Sequence, residues 1–169
     1  MNLDHKGIEQ LLDEMSSKLD TLLIESKREK PLIIGIQTGG LWIAKKIQHR
    51  LEADIPLGEL NIAFYRDDFS RIGMHPHVTP SQLPFDVENR HIILVDDVLH
   101  TGRTIRAAMN EIFDYGRPAS ICLVVLIERT GRELPINADV VGKTITLKPD
   151  EHVKLSGPEP MALEIKYEE

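Results

Sequence analysis

The apolar positions of this chain change their period along its length. Residues 5–28 carry Ile8, Leu11, Leu12, Met15, Leu19, Leu22 and Leu23 three or four apart, the spacing of an amphipathic helix. "PLIIGIQ" (31–37) is a short apolar run closed by "TGG", which predicts a buried strand. Leu41, Ala44, Ile47 and Leu51 then return to helical spacing. Leu60, Ile62 and Phe64 alternate, predicting a strand over about 59–65. Residues 66–90, with Pro76, Pro80 and Pro84, read as a long loop, a feature usually reserved for function in a small domain. "HIILVDD" (91–97) is the next strand. Ile105, Ala108, Met109, Ile112 and Phe113 mark a helix that stops at "YGRP", where Gly116 is expected to take a left-handed cap. "ASICLVVLIE" is a fully apolar strand, 138–147 offers shorter ones, and the tail "ALEIKYEE" alternates as an edge strand would. Strands alternating with helices predict an α/β fold, a mostly parallel central sheet with helices on both faces.

Length and composition narrow the picture. The 169 residues fit one domain, and no apolar run approaches the roughly 20 needed to span a bilayer. The N-terminus lacks a secretory layout and the single cysteine, Cys122, lies in an apolar strand, so a cytoplasmic protein without disulfides is expected. A net charge of −7 argues against nucleic acid as the main partner.

The chemistry concentrates in "HIILVDDVLHTGRTIRAAM" (91–109). Two adjacent carboxylates, Asp96 and Asp97, stand where a parallel strand should end, the place where such sheets bind ligands. They repel each other unless hydroxyls, a cation or basic groups satisfy them. The next residues, His100, Thr101, Gly102, Arg103 and Thr104, open a helix whose backbone N–H groups and threonine hydroxyls suit a phosphate. Carboxylates for sugar hydroxyls beside a phosphate cup imply a ribose-phosphate ligand. The P-loop pattern G-x-x-x-x-G-K-[ST] is absent, and a receiver domain would place its acids near its first strand.

"ILVDDVLHTGRTIRAA" resembles the phosphoribosyl pyrophosphate motif of type I phosphoribosyltransferases. "IGIQTGGLWIAKKI", "LGELNIAFYRDD" and "DYGRPASICLVVLIERTGRELPINADVVGK" resemble one branch, the bifunctional pyrimidine-operon attenuation regulators that are also uracil phosphoribosyltransferases. The resemblance implies the type I fold with a small hood made by the terminal segments. It implies that Asp96, Asp97, Val98, Leu99 and His100 to Thr104 bind ribose and 5′-phosphate, and that Thr38, Gly39 and Gly40 form the pyrophosphate loop. Tyr65, Arg66, Asp67 and Asp68 would begin a flap, and Arg66, Asp96 and Asp97 would be the catalytic set. Arg129, Asp139, Val140, Val141 and Gly142 would approach the pyrophosphate side and the base. Mg2+ would be held mainly by the ligand, with Asp96 and Asp97 beside it. Uracil, phosphoribosyl pyrophosphate and UMP are the implied small molecules, and a homo-oligomer the implied assembly.

Two departures qualify the resemblance. Gly39 stands where the branch tends to carry arginine. The regulators use basic residues toward messenger RNA, whereas the first 30 residues here hold five Lys or Arg against seven Asp or Glu, and Asn137 follows "RELPI". RNA is therefore not expected as a partner of this chain, and a nucleotide-sensing RNA regulator is the alternative to catalysis. His75 and His77 read as surface residues, Trp42 as packing, and Lys45-Lys46 as a solvated helix face.

Overall fold

The computed structural model describes residues 1–51, 54–62 and 81–168. Tyr65, Arg66, Asp67 and Asp68, with His75 and His77, lie outside them. Helix α1 (His5–Glu25) opens with Asp4, whose carboxylate accepts the Gly7 N–H at 2.9 Å. It ends three residues before the expected position 28. The Ser26 N–H and hydroxyl both donate to the Leu22 carbonyl, and Lys27 turns to φ 53°. Strand β1 (Leu32–Ile36), helix α2 (Gly39–Arg50) and strand β2 (Leu57–Leu60) follow, then β3 (His91–Leu99), α3 (Arg103–Tyr115), β4 (Ser120–Arg129) and β5 (Val140–Ile145). The five strands form one parallel sheet in the order β2-β1-β3-β4-β5, the α/β arrangement expected.

The near-continuous apolar strands are buried on both faces. Ile33, Ile93, Val95, Cys122, Val124 and Leu126 pack under α1 and α2, beside Ile8, Leu12, Met15 and Ile47. Their neighbours Leu32, Ile34, Ile92, Leu94, Leu123 and Val125 pack on the other face with Ile105, Ala108 and Ile112 of α3. Each fully buried aliphatic side chain contributes about 1.5–3 kcal/mol. Among the described residues no helix is long and apolar enough to cross a membrane.

Several expectations are corrected. Strand β2 begins at Leu57, two residues before the expected 59, and its pairing to β1 runs to Leu60; Ile62 is buried beyond it, and the expected positions 63–65 lie outside the described residues. Strand β3 runs on to Leu99, because Val98 and Leu99 still pair with Ile127 and Glu128 of β4. The aspartate pair therefore sits inside the last turn of the ladder rather than at its end. Gly116 closes α3 with φ 158° and ψ 175°, not a left-handed turn, as Arg117 is drawn to Glu88 and Asn89. The tail forms β7 (Ala162–Tyr167), but it pairs antiparallel with β6 (Glu151–Ser156) in a separate two-stranded sheet. A bridge between Leu3 and Leu163 joins the two ends of the chain there.

Cys122 is 1% exposed. Burial, reinforced by Asp139, pushes its thiol from 9.0 up to about 12. The thiol is held protonated, so its stabilising contribution is complete below about pH 9 and is lost as pH rises from there toward 12. Folded protein at pH 8 should leave Cys122 unreacted with a disulfide reagent, and unfolding should release one titratable thiol. Rapid reaction in the folded state would contradict this burial.

Candidate active site

The first residues to converge are far apart in sequence. The Thr38–Gly40 turn leaves β1 and starts α2, and the Gln37–Thr38 peptide is cis. A Cβ on Gly39 would lie 2.4 Å from Asp97 Oδ2, and one on Gly40 would lie 2.6 Å from the Val95 carbonyl oxygen and 3.1 Å from Asp96 Oδ1. Only glycines let this loop rest against both acids. The fit extends along α2, since a Cβ on Gly35 would come within 2.6 Å of Leu41 Cα.

Asp96 is 2% exposed and its Oδ1 accepts the Asp97 N–H at 2.9 Å. Asp97 is half-buried, and its Oδ1 accepts the Val98 N–H at 3.0 Å. Strand alternation slips here: Val98 packs with the α1–α2 core and Leu99 with the α3 core. Each carboxylate is thus oriented by a backbone amide.

The cup follows directly. Thr101 is buried, and its hydroxyl accepts the Arg103 N–H at 3.1 Å. Gly102 takes φ 97° as the N-cap of α3 and has no side chain to cap it, so the Thr101 hydroxyl serves the helix's first amide instead. The segment after β4 closes on this turn from outside. Glu133 and Leu134 donate their N–H groups to the Thr101 carbonyl, at 3.0 and 3.1 Å. Arg132 donates to the His100 carbonyl at 2.8 Å, to Glu128 at 2.9 Å and to the Ile136 carbonyl. Arg103 pairs with Glu133 at 2.9 Å. Arg132 was not singled out from sequence. Its signal is local, the left-handed Gly131 before it at φ 108°, which turns the chain back over His100.

The remaining expected residues spread out. Arg129 stands at the carboxyl end of β4, and its Nη1 donates to the Glu151 carbonyl of β6 at 3.0 Å. Burial lowers its basicity, with Glu151 opposing. Val141 lies level with Asp96, through Val125 between them, whereas Val140 lies level with Val95. Asp139 lies nearer the amino ends of the strands. Its Oδ2 accepts the Leu123 N–H at 2.8 Å, which fastens the start of β5 to β4. A Cβ on Gly142 would lie 2.5 Å from the Leu126 carbonyl oxygen and 2.8 Å from Met15 Sδ, so that glycine seats α1 on the sheet. The structure therefore gathers Thr38, Gly39, Gly40, Asp96, Asp97 and the 100–104 turn, and leaves Asp139 and Gly142 outside that group. Trp42 is packed, as expected: a Cβ on Gly157 would meet its ring at 2.9 Å. Lys46 differs from expectation, being ion-paired with Glu9 at 3.3 Å and Glu159 at 2.8 Å rather than simply solvated.

Among the described residues no group of three His, Cys, Asp or Glu forms a cage for a metal ion.

The phosphoribosyl transferase domain family matches residues 2–159. A curated relative from Nitrosococcus oceani, named "Bifunctional protein PyrR", is 59% identical over 163 residues, 95% of this chain and 92% of that protein. One from Pseudomonas paraeruginosa, with the same name, is 55% identical over 93% of this chain and 92% of its own. The hypoxanthine phosphoribosyl transferase of Trypanosoma cruzi superposes with a TM-score of 0.68, covering 87% of this chain and 78% of that one at 20% identity, which speaks to fold alone. With the two carboxylates, the facing glycine loop and the threonine-lined turn in one place, the chain belongs to the phosphoribosyl transferase domain family.

Proposed function

We propose that the chain transfers the phosphoribosyl group of phosphoribosyl pyrophosphate to uracil, giving UMP and pyrophosphate. The observation that carries this is the seating of Gly39 and Gly40 against Asp97 and Asp96, on the strand that leads into the Thr101–Thr104 cup. The pyrimidine assignment follows the sequence resemblance.

Asp96 and Asp97 would accept the ribose 2′- and 3′-hydroxyls, using oxygens already aimed by the Asp97 and Val98 amides. The amides and hydroxyls of 101–104 would hold the 5′-phosphate, and Thr38–Gly40 would face the pyrophosphate. Pyrophosphate leaves with the bonding electrons, positive charge grows at the anomeric carbon, and the uracil nitrogen forms the new bond as its proton departs. The chain's share is positional and electrostatic, since its donors and carboxylates are fixed before charge develops. Asp96 and Asp97 are the residues that would face a bound magnesium ion, whose chemistry there would be to neutralise charge on the leaving pyrophosphate. Arg66 of the 65–68 segment is assigned to the leaving group, and Arg129 with Val140 and Val141 to the base side, on resemblance. A homo-oligomer and a cytoplasmic location belong to the same reading.

The test is spectrophotometric turnover of phosphoribosyl pyrophosphate with uracil against hypoxanthine. Uracil should be favoured in kcat/KM by roughly tenfold or more, because a site built to pair polar base edges rejects the wrong one. Preferred turnover of hypoxanthine would overturn the pyrimidine assignment, and consumption of neither base would overturn catalysis.

The word "bifunctional" in the relatives' name favours a regulatory role beside catalysis, against the expectation drawn from the charge of α1. An RNA surface would lie off the α1–α2 face, where Lys46 and Arg50 are already paired with Glu9, Asp13 and Glu159. Titration of leader RNA at stated salt, with and without UMP, decides it. Binding no tighter than to scrambled RNA would remove that role.

A further inference from the structure

We propose that Glu59 is a positioning residue for the pyrophosphate loop, acting through Gln37. The inference rests on the phosphoribosyl pyrophosphate reading above.

Gln37 is the residue immediately before Thr38-Gly39-Gly40. Its N–H donates to the Leu60 carbonyl at 2.8 Å, prolonging the β1–β2 ladder by one bond past the end of β1. Its side-chain Nε2 donates to Glu59 Oε2 at 2.5 Å, a contact between residues 22 apart in sequence. Both side chains are half-buried, where a carboxylate acceptor strengthens the bond.

The anchor itself is fixed from two sides. On one side Glu59 stands in register with Gly35 of β1. On the other its backbone exchanges two hydrogen bonds with Gln82, each 2.8 Å, so the chain returning after residue 80 is laid along β2. Ser81 completes this edge, its hydroxyl accepting the Asn61 N–H at 2.9 Å and reaching Glu111. Strand alternation puts Glu59 on the side of Leu57, which packs with the α1–α2 core, while Leu60 packs with the α3 core. The carboxylate is therefore on the face from which α2 and its glycine turn arise.

Bound anions select among loop positions only as well as the loop is held. The loop's own residues are two glycines and a threonine, and the Thr38 side chain makes no capping bond to α2. Its entry is fastened by the Gln37–Glu59 pair, its exit by the seat of Gly40 on Val95 and Asp96. Glu59 also bridges to Gln82 just after residue 80, so one residue orients the loop and the chain at Gln82 together.

The test is calorimetric binding of three probes in the presence of Mg2+: phosphoribosyl pyrophosphate, inorganic pyrophosphate and UMP. Glu59→Ala should weaken the two pyrophosphate-containing probes by roughly tenfold, the size of one oriented hydrogen bond. UMP, which uses the cup and the carboxylates, should bind as to the unaltered protein, and this also certifies the fold. Glu59→Gln, which still offers an amide oxygen to Gln37, should recover most of the loss. Gln37→Leu should reproduce the Glu59→Ala defect, and the double variant should be no worse than either single one. Unchanged pyrophosphate affinity in Glu59→Ala, equal loss of UMP binding, or additive effects in the double variant would overturn the role. If the unaltered protein binds no phosphoribosyl pyrophosphate, the underlying reading falls and takes this one with it.

Discussion

Asp97→Asn is expected to weaken phosphoribosyl pyrophosphate binding by roughly 10- to 150-fold while the melting temperature stays where it was. Hydrogen bonds to a charged acceptor contribute about 1.5–3 kcal/mol each, and about 1.4 kcal/mol is a factor of ten. The substitution keeps the shape of the side chain and an oxygen that can still accept the Val98 N–H at 3.0 Å, so the end of β3 is preserved. What it removes is the negative charge that attracts ribose hydroxyls and their cation. Asp96→Asn makes the contrast, because Asp96 is almost wholly enclosed and its Oδ1 orients Asp97 itself. Calorimetry on both variants separates the effects, and unaltered affinity in Asp97→Asn would remove that residue from the ribose site.

Gly40→Ala should do more damage than its one carbon suggests. The added Cβ meets the Val95 carbonyl oxygen at 2.6 Å and Asp96 Cα at 2.9 Å, both backbone atoms of a central strand. No side-chain rotation relieves such a contact, so α2 must back away from β3. Overpacking of this kind costs about 1–3 kcal/mol. Because the same movement separates the loop from the carboxylates, kcat/KM should fall by roughly tenfold or more, as expected where a small misplacement spoils orientation. Gly39→Ala is the informative control. Its Cβ meets Asp97 Oδ2 at 2.4 Å and Cγ at 2.7 Å, atoms of a side chain that can turn aside. That variant should keep its melting temperature and lose ligand affinity, since the carboxylate is displaced from the Val98 amide that aims it. Thermal melts paired with calorimetry check this split. A Gly40→Ala protein that melts and turns over like the unaltered chain would contradict the close seating of the loop.

These contrasts show which parts of the protein could be read from its sequence. Strands β1, β3 and β4 were legible because each is buried on both faces and so nearly continuously apolar. The start of strand β2 was set two residues late, because Leu57 and Gly58 lie ahead of the Leu60–Ile62 alternation that marked it. Strand β6, "EHVKLS", gave little signal: only Leu155 of its six residues is buried. The partner of β7 was therefore hidden, and with it the two-stranded sheet.

At the site, the acids and the threonine-glycine turn were legible because they are contiguous and chemically unusual. Tertiary bonds were not. Gln37 and Glu59 look like ordinary polar residues until the sheet lays β1 beside β2. Arg132 gains its purpose only when Gly131 folds it over His100. Asp139 carries an attractive spacing within "NADVVGK", yet its carboxylate fastens a strand start, a local need that pattern alone does not separate from ligand binding.

The central claim is that Asp96, Asp97 and the 101–104 turn form one ribose-phosphate pocket faced by the Thr38–Gly40 loop. A crystal structure of the protein with UMP tests it most directly. The account predicts the 5′-phosphate within hydrogen-bond distance of main-chain N–H groups of residues 101–104 and the ribose hydroxyls on Asp96 and Asp97. UMP bound elsewhere, or with its phosphate away from that turn, would contradict it.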